Sequence, residues 1–245
     1  MSQALSFSEE CRENAARMAK DSEIRQKTLD WISAQAHHKY TYNFTWLGRP
    51  IIQFPQDILA VQELIWRIKP EIIIETGIAH GGSLIFYSSM LELIGGDGRV
   101  LGIDIDIREH NRVEIEKHPL SKRITMLEGS SIAPDTIEKV RAIAQDCRTV
   151  MVILDSNHTH EHVAQELLLY SPLVTMDSYL VVFDTIIEDM PEDVFPDRPW
   201  GKGDNPKTAT REFLKTTDRF VIDEEYNNKL LITVAPEGYL RCVRD

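Results

Sequence analysis

The sequence predicts an α/β fold: a doubly wound, mostly parallel sheet with a C-terminal antiparallel hairpin and an N-terminal helical extension. Three observations predict it. Strand-like apolar runs recur at 71–77, 99–106, 124–129, 149–155 and 178–184, with helical patterns in most of the gaps between them. Several of these runs, "EIIIETG" and "TVMVILD" among them, are apolar along nearly their whole length. Such strands belong in a parallel sheet covered on both faces. Beyond residue 206 the alternation stops, and "FVIDEEY" and "LLITVAPEGYLRCV" flank "NN" as a hairpin would.

The elements follow in order. Residues 7–36 read as a polar helix with Leu29, Trp31 and Ile32 as a modest apolar face. "KYTYNFTWLGRPIIQFP" is aromatic-rich, punctuated by proline, and reads as loop. "PQDILAVQELIWRIKP" places Ile58, Val61, Leu64, Ile65 and Ile68 at helical spacing between two prolines. After the first strand, "GGSLIFYSSMLELIGG" is a helix bracketed by glycines. "APDTIEKVRAIAQ" and "THEHVAQELLLY" are the later helices, before and after the fourth strand. "MPEDVFPDRPWGKGDNP" (190–206) is too rich in Pro, Gly and Asp for a regular element and reads as an ordered loop or lid. A short helix at "TATREFLKTT" precedes the hairpin. The organisation is an extension over 1–50 and one domain over 51–245.

Composition narrows the function classes. With 27 basic against 39 acidic residues the chain carries net −12, and no Lys/Arg stripe is present, which disfavours nucleic acid and anionic membranes as partners. Cys11, Cys147 and Cys242 are odd in number and far apart, which fits a reducing cytoplasm. No apolar run approaches a membrane span or a signal peptide.

Ligands of an open parallel sheet bind beyond the carboxyl ends of its strands. The first strand stops at "ETGIAHGGS", giving Glu75, Gly77, Gly81, Gly82 and Ser83, where glycine permits a tight turn and a close approach to an anion. The spacing is not that of a dinucleotide fingerprint. Asp104 ends the second strand, 23 residues beyond Gly81, where an acid accepts ribose hydroxyls. Ser130 and Ser131 follow the third strand, where hydroxyls or backbone amides are able to hold an adenine edge. Asp155 and Asp184 end the fourth and fifth, as hard-oxygen ligands for Mg²⁺ or Ca²⁺ or as helix caps. His158 overhangs that pocket as a general base for a hydroxyl. "HTHEH" also matches a zinc-peptidase pattern through His158, Glu161 and His162, but a zinc hydrolase leaves the glycine loop, Asp104 and Asp184 unexplained.

The phrases "TYNFTWLGRPIIQFPQD", "IIIETGIAHGGSLIFYSSMLEL", "VLGIDIDIREHNR", "ILDSNHTHEHV" and "WGKGDNPKTATREFL" resemble the cephalosporin hydroxylase family, which is similar to class I S-adenosylmethionine-dependent O-methyltransferases of sugars. The resemblance runs from about residue 40 to the C-terminus and implies a Rossmann-like methyltransferase sheet. It implies S-adenosylmethionine on Gly77–Ser83, Asp104 and Ser130 or Ser131, a divalent cation (Mg²⁺) on Asp155 and Asp184, and His158 as base. The acceptor would be a hydroxyl of a small molecule or sugar. The N-terminal helices and the aromatic "YNFTWLG" segment read as material for a subunit interface, so a homo-oligomer is expected. Many relatives carry Glu-Asp where this chain has Phe183-Asp184, so Glu188 or Asp189 is the expected replacement ligand. The same loss suits a rival, a non-catalytic accessory subunit of a hydroxylase or methyltransferase pair.

Overall fold

The computed structural model describes residues 6–245; residues 1–5, the start of the expected extension, lie outside the described residues. The chain begins with α1 (Phe7–Ala19) and α2 (Ser22–Ala36), so the single polar helix expected over 7–36 is two. Asp21 makes the break by accepting hydrogen bonds from the Glu23 and Ile24 N–H groups, a side-chain cap that starts a new helix. Where the sequence read as loop, β1 (Thr45–Trp46) and β2 (Arg49–Pro50) form a small antiparallel pair. Leu47 and Gly48 turn between them, both at positive φ.

The remaining elements are α3 (Pro55–Ile68), β3 (Ile72–Thr76), α4 (Gly82–Ile94), β4 (Arg99–Asp104), α5 (Glu109–Lys117), β5 (Ile124–Glu128), α6 (Pro134–Ala144), β6 (Val150–Leu154), α7 (His160–Tyr170), β7 (Tyr179–Val182), α8 (Pro206–Phe213), β8 (Phe220–Ile222), α9 (Glu224–Lys229) and β9 (Tyr239–Cys242). The large sheet runs β5-β4-β3-β6-β7-β9-β8. β3 to β7 are mutually parallel, while β9 is antiparallel to both neighbours. The chain moves outward from β3 through β4 to β5, then returns to lay β6 on the other side of β3. That reversal opens a crevice above the carboxyl ends of β3 and β6.

Alternation along β3 sets the two cores. Ile73 packs with α3 and α4 through Val61, Leu64 and Phe86, while Ile72 and Ile74 face Val140, Leu167 and Phe213 on the opposite side. Every β3 residue is buried, Glu75 included. Burial of each isoleucine side chain contributes about 1.5–3 kcal/mol. A third cluster joins Ile32 of α2 to Phe54, Ile186 and Met190, which packs α2 on the same face as the crevice.

The antiparallel C-terminal pair is present, but "NN" is not its turn. Asn227 and Asn228 lie in α9, because Asp223 caps that helix at the Glu225 and Tyr226 N–H groups. The helix α5, absent from the sequence reading, fills the connection between β4 and β5 and buries only Asn111 and Ile115.

Candidate active site

The glycine loop after β3 is gripped from below and from both sides. Glu75 stands fully buried under it, accepting hydrogen bonds from Ser83 Oγ at 2.6 Å and Tyr87 Oη at 2.8 Å. Burial pushes its carboxyl up from 4.5 to about 8, against the lowering effect of those two bonds. Glu75, expected to touch a cofactor, therefore spends one oxygen on Ser83 and the other on Tyr87, and Ser83, expected there too, spends its hydroxyl proton on Glu75. Asp104 holds the loop from β4, with Oδ2 accepting from Ile78 N–H at 2.9 Å and Ala79 N–H at 3.4 Å. Its Oδ1 accepts from Asp106 N–H at 3.1 Å, so that oxygen keeps room for a further donor. Arg49 of β2 donates to the His80 carbonyl through Nη2 at 2.6 Å and Nε at 3.1 Å, and also to Asn111.

The glycines are small for the sake of the protein's own chain. A Cβ on Gly82 would lie 2.1 Å from the Pro50 carbonyl oxygen, and one on Gly81 2.2 Å from Ile115 Cδ1. A Cβ on Gly77 would lie 2.0 Å from the Asp155 carbonyl oxygen. Of the three, Gly77 also lines a cleft.

Two clefts meet above the sheet. The first, about 350 Å³, is lined by Gly77, Asp104, Ser130, Ser131, Asn157 and His162, a volume in the range of small-ligand sites. The second is lined by Phe54 and Ile186, by Gln35 of α2 with Lys39 and Tyr42 of the turn that follows it, and by Asp155 and Asp184. His158, Arg198 and Trp200 line both and form the wall between them. Trp200 packs edge-on to the His158 ring at 5.4 Å, so the 190–206 segment reaches the centre of the site.

At that wall Asp155, His158 and Asp184 offer ligand atoms that all lie within 4.8 Å of one another. His158 Nε2 is 3.0 Å from Asp184 Oδ2. Burial first, and then the Asp184 carboxylate, push the Asp155 carboxyl well above the usual range. Two hard-oxygen donors and an imidazole in this space fit a divalent cation.

Glu188 does not join them, which corrects the expectation that it replaces the missing ligand. Asp184 adopts a left-handed conformation (φ 56°), and the 3-10 turn Thr185–Asp189 that follows carries Glu188 away. Its Oε2 accepts from Gly203 N–H at 2.8 Å and Asn205 Nδ2 at 2.6 Å, anchoring the 190–206 loop. Asp189 pairs with Lys207 at 2.6 Å. Phe183 points into the core, 1% exposed.

The zinc-peptidase trio is not assembled either. Glu161 is exposed, and His162 Nε2 lies 3.0 Å from Ser131 Oγ, inside the first cleft. His160 ties α7 to α8 through Thr208 at 2.8 Å, as an ordinary structural histidine. Sequence reasoning did not single out Arg49, Asn111 or Arg198, although each lies in a stretch it quoted: "WLGRPIIQFP", "VLGIDIDIREHNR" and "MPEDVFPDRPWGKGDNP".

Comparison with known proteins matches this architecture. Rhamnosyl O-methyltransferase of Mycobacterium leprae is 29% identical over 214 residues, covering 84% of this chain and 89% of that protein. CmcI solved with Mg and SAM superposes with a TM-score of 0.59 at 21% identity, covering 83% of this chain and 78% of that one. An O-methyltransferase from Bacillus cereus in complex with SAH superposes at 0.54 with 14% identity, covering 91% and 92%. These structural likenesses speak for the Rossmann-like sheet. Residues 38–243 match the family described as Rhamnosyl O-methyltransferase/CmcI, and this chain belongs to that family.

Proposed function

We propose that this protein is an S-adenosylmethionine-dependent, metal-assisted O-methyltransferase acting on a hydroxyl of a sugar or small natural product. One observation carries the reading: His158 lines two adjoining clefts, and beside it Asp155 and Asp184 line the second, so a base and two carboxylates stand where a cofactor and an acceptor would meet. Family membership supplies the reaction class.

When bound, S-adenosylmethionine supplies an electrophilic methyl group and Mg²⁺ a fixed positive charge that acidifies a hydroxyl. The chain's residues do the rest. Asp104, Gly77 and the Ser130–Ser131 turn bind the nucleoside side, with Glu75 and Ser83 holding the loop in place beneath. Asp155 and Oδ1 of Asp184 are the oxygens available to the cation. His158 Nε2 stands 3.0 Å from Asp184 Oδ2, a contact that holds the imidazole beside the carboxylate. The His158 imidazole takes the acceptor's hydroxyl proton. Trp200 keeps the ring upright and, with Phe195 and Arg198, screens the site from water.

The accessory-subunit alternative rests on Phe183 alone, and the site retains a base and two carboxylates without it. We further place the protein in the cytoplasm, on its three free thiols, and as a homo-oligomer through the N-terminal extension (1–50), where Tyr42 and Leu47 are exposed. Among the described residues no helix is long and apolar enough to cross a membrane. Calorimetric titration with S-adenosylhomocysteine, with and without Mg²⁺, tests the reading. Low-micromolar binding is expected, and no binding under either condition overturns it.

A further inference from the structure

Resting on that reading, we infer that the acceptor carries an anionic group, a carboxylate or a phosphate monoester, which Lys39 and Arg198 recognise across the second cleft. The argument begins with charge. Both side chains line this cleft, one from the turn that follows α2 and one from the 190–206 loop. Neither has a carboxylate oxygen within 4.0 Å among the described residues, in a chain with 39 acidic residues and net −12.

Each cation is held by an aromatic ring instead. Lys39 Nζ lies 5.7 Å from the Tyr42 ring centroid, and the Arg198 guanidinium carbon 5.7 Å from that of Trp200. Both rings line the same cleft. A ring orients a cation without neutralising it, so the charge stays available to a ligand. The acids of the cleft do not answer it, because Asp155 and Asp184 balance the divalent cation that their arrangement fits. With that cation bound, the positive charges of Lys39 and Arg198 are left over.

Ile186, Met190, Phe54 and Phe195 line the same cleft, an apolar surface that suits a carbon skeleton. The acceptor thus presents its hydroxyl at His158 and its anion at Arg198 and Lys39. A guanidinium pairs with either anion in bidentate fashion, so the two sources share one chemistry.

Protein saturated with S-adenosylhomocysteine and Mg²⁺ is titrated calorimetrically with glucuronate, glucose 1-phosphate and glucose. At least one of the two anions is expected to bind tenfold or more tightly than glucose, and which one does so names the group. That advantage should vanish in the double variant R198Q/K39Q, whose two altered side chains are exposed. Equal behaviour of the three sugars, including no measurable binding of any, overturns the inference. So does an advantage that survives in the double variant. If S-adenosylhomocysteine itself does not bind, the methyltransferase reading fails and takes this inference with it; if it binds and no anion preference follows, the inference fails alone.

Discussion

Replacing Glu75 by glutamine should make the protein more stable at neutral and alkaline pH, although it removes an acid from the centre of the glycine-loop signature. In the folded chain the Glu75 carboxyl is fully buried and holds its proton up to about pH 8, against 4.5 as its ordinary value. Between those two values the folded state binds more protons than the unfolded one, so stability falls as pH rises. The slope is about 1.4 kcal/mol per pH unit, which accumulates to roughly 3 kcal/mol at pH 7 and roughly 5 kcal/mol above pH 8. Glutamine keeps the shape and an acceptor for Ser83 or Tyr87, but has nothing to ionise. Its extra N–H adds a fixed offset and leaves the slope untouched. Urea unfolding of both proteins at intervals from pH 4 to 9 should show the difference near its minimum at pH 4 and widening to a plateau above pH 8. Parallel profiles across that range would refute the argument. The variant should also bind S-adenosylhomocysteine within about threefold of the wild type, because Glu75 holds the loop and does not line the cleft.

Other outcomes follow from the same geometry. His158→Ala should lower kcat by about 10²- to 10⁴-fold while S-adenosylhomocysteine affinity, read by calorimetry, stays unchanged. Gly82→Ala sets a Cβ 2.1 Å from the Pro50 carbonyl oxygen and should cost about 1–3 kcal/mol in urea unfolding; an unchanged midpoint would deny that close approach. Asp155→Asn should abolish calorimetric Mg²⁺ binding, whereas Glu188→Gln should leave it intact, since Glu188 is engaged with Gly203 and Asn205.

Much of the fold was legible because burial writes itself into local composition. Ile72, Ile73 and Ile74 are apolar on both faces since α3 and α4 cover one side of β3 and α6 to α8 the other. α5 hides for the opposite reason: only Asn111 and Ile115 are buried on it, so its nine residues carry no apolar stripe. The short α9 was misread as a hairpin turn because "NN" is the stronger dipeptide signal, while the cap that decides the matter is Asp223, several residues earlier. Capping by Asp21 likewise splits a helix that periodicity alone would run through.

The site divides along the same line. Asp104, Asp155 and Asp184 could be placed together from topology, because parallel strands deliver their carboxyl ends to one edge whatever the loops do. Glu188 could not. Whether an acid four residues past Asp184 reaches the cation depends on the backbone of Asp184, and its left-handed φ of 56° is a local choice that a sequence does not declare. The chain then curls through Thr185–Asp189, and the 190–206 loop claims Glu188 with one backbone N–H and one amide. Phe183, meanwhile, fills core space with a ring that offers a cation nothing. The result is a centre with two carboxylates, where an extra acid nearby serves the lid. Weak Mg²⁺ binding, removed by a modest excess of chelator in a competition assay, is the expected outcome, since affinity for a hard cation follows the number of charged oxygens that surround it.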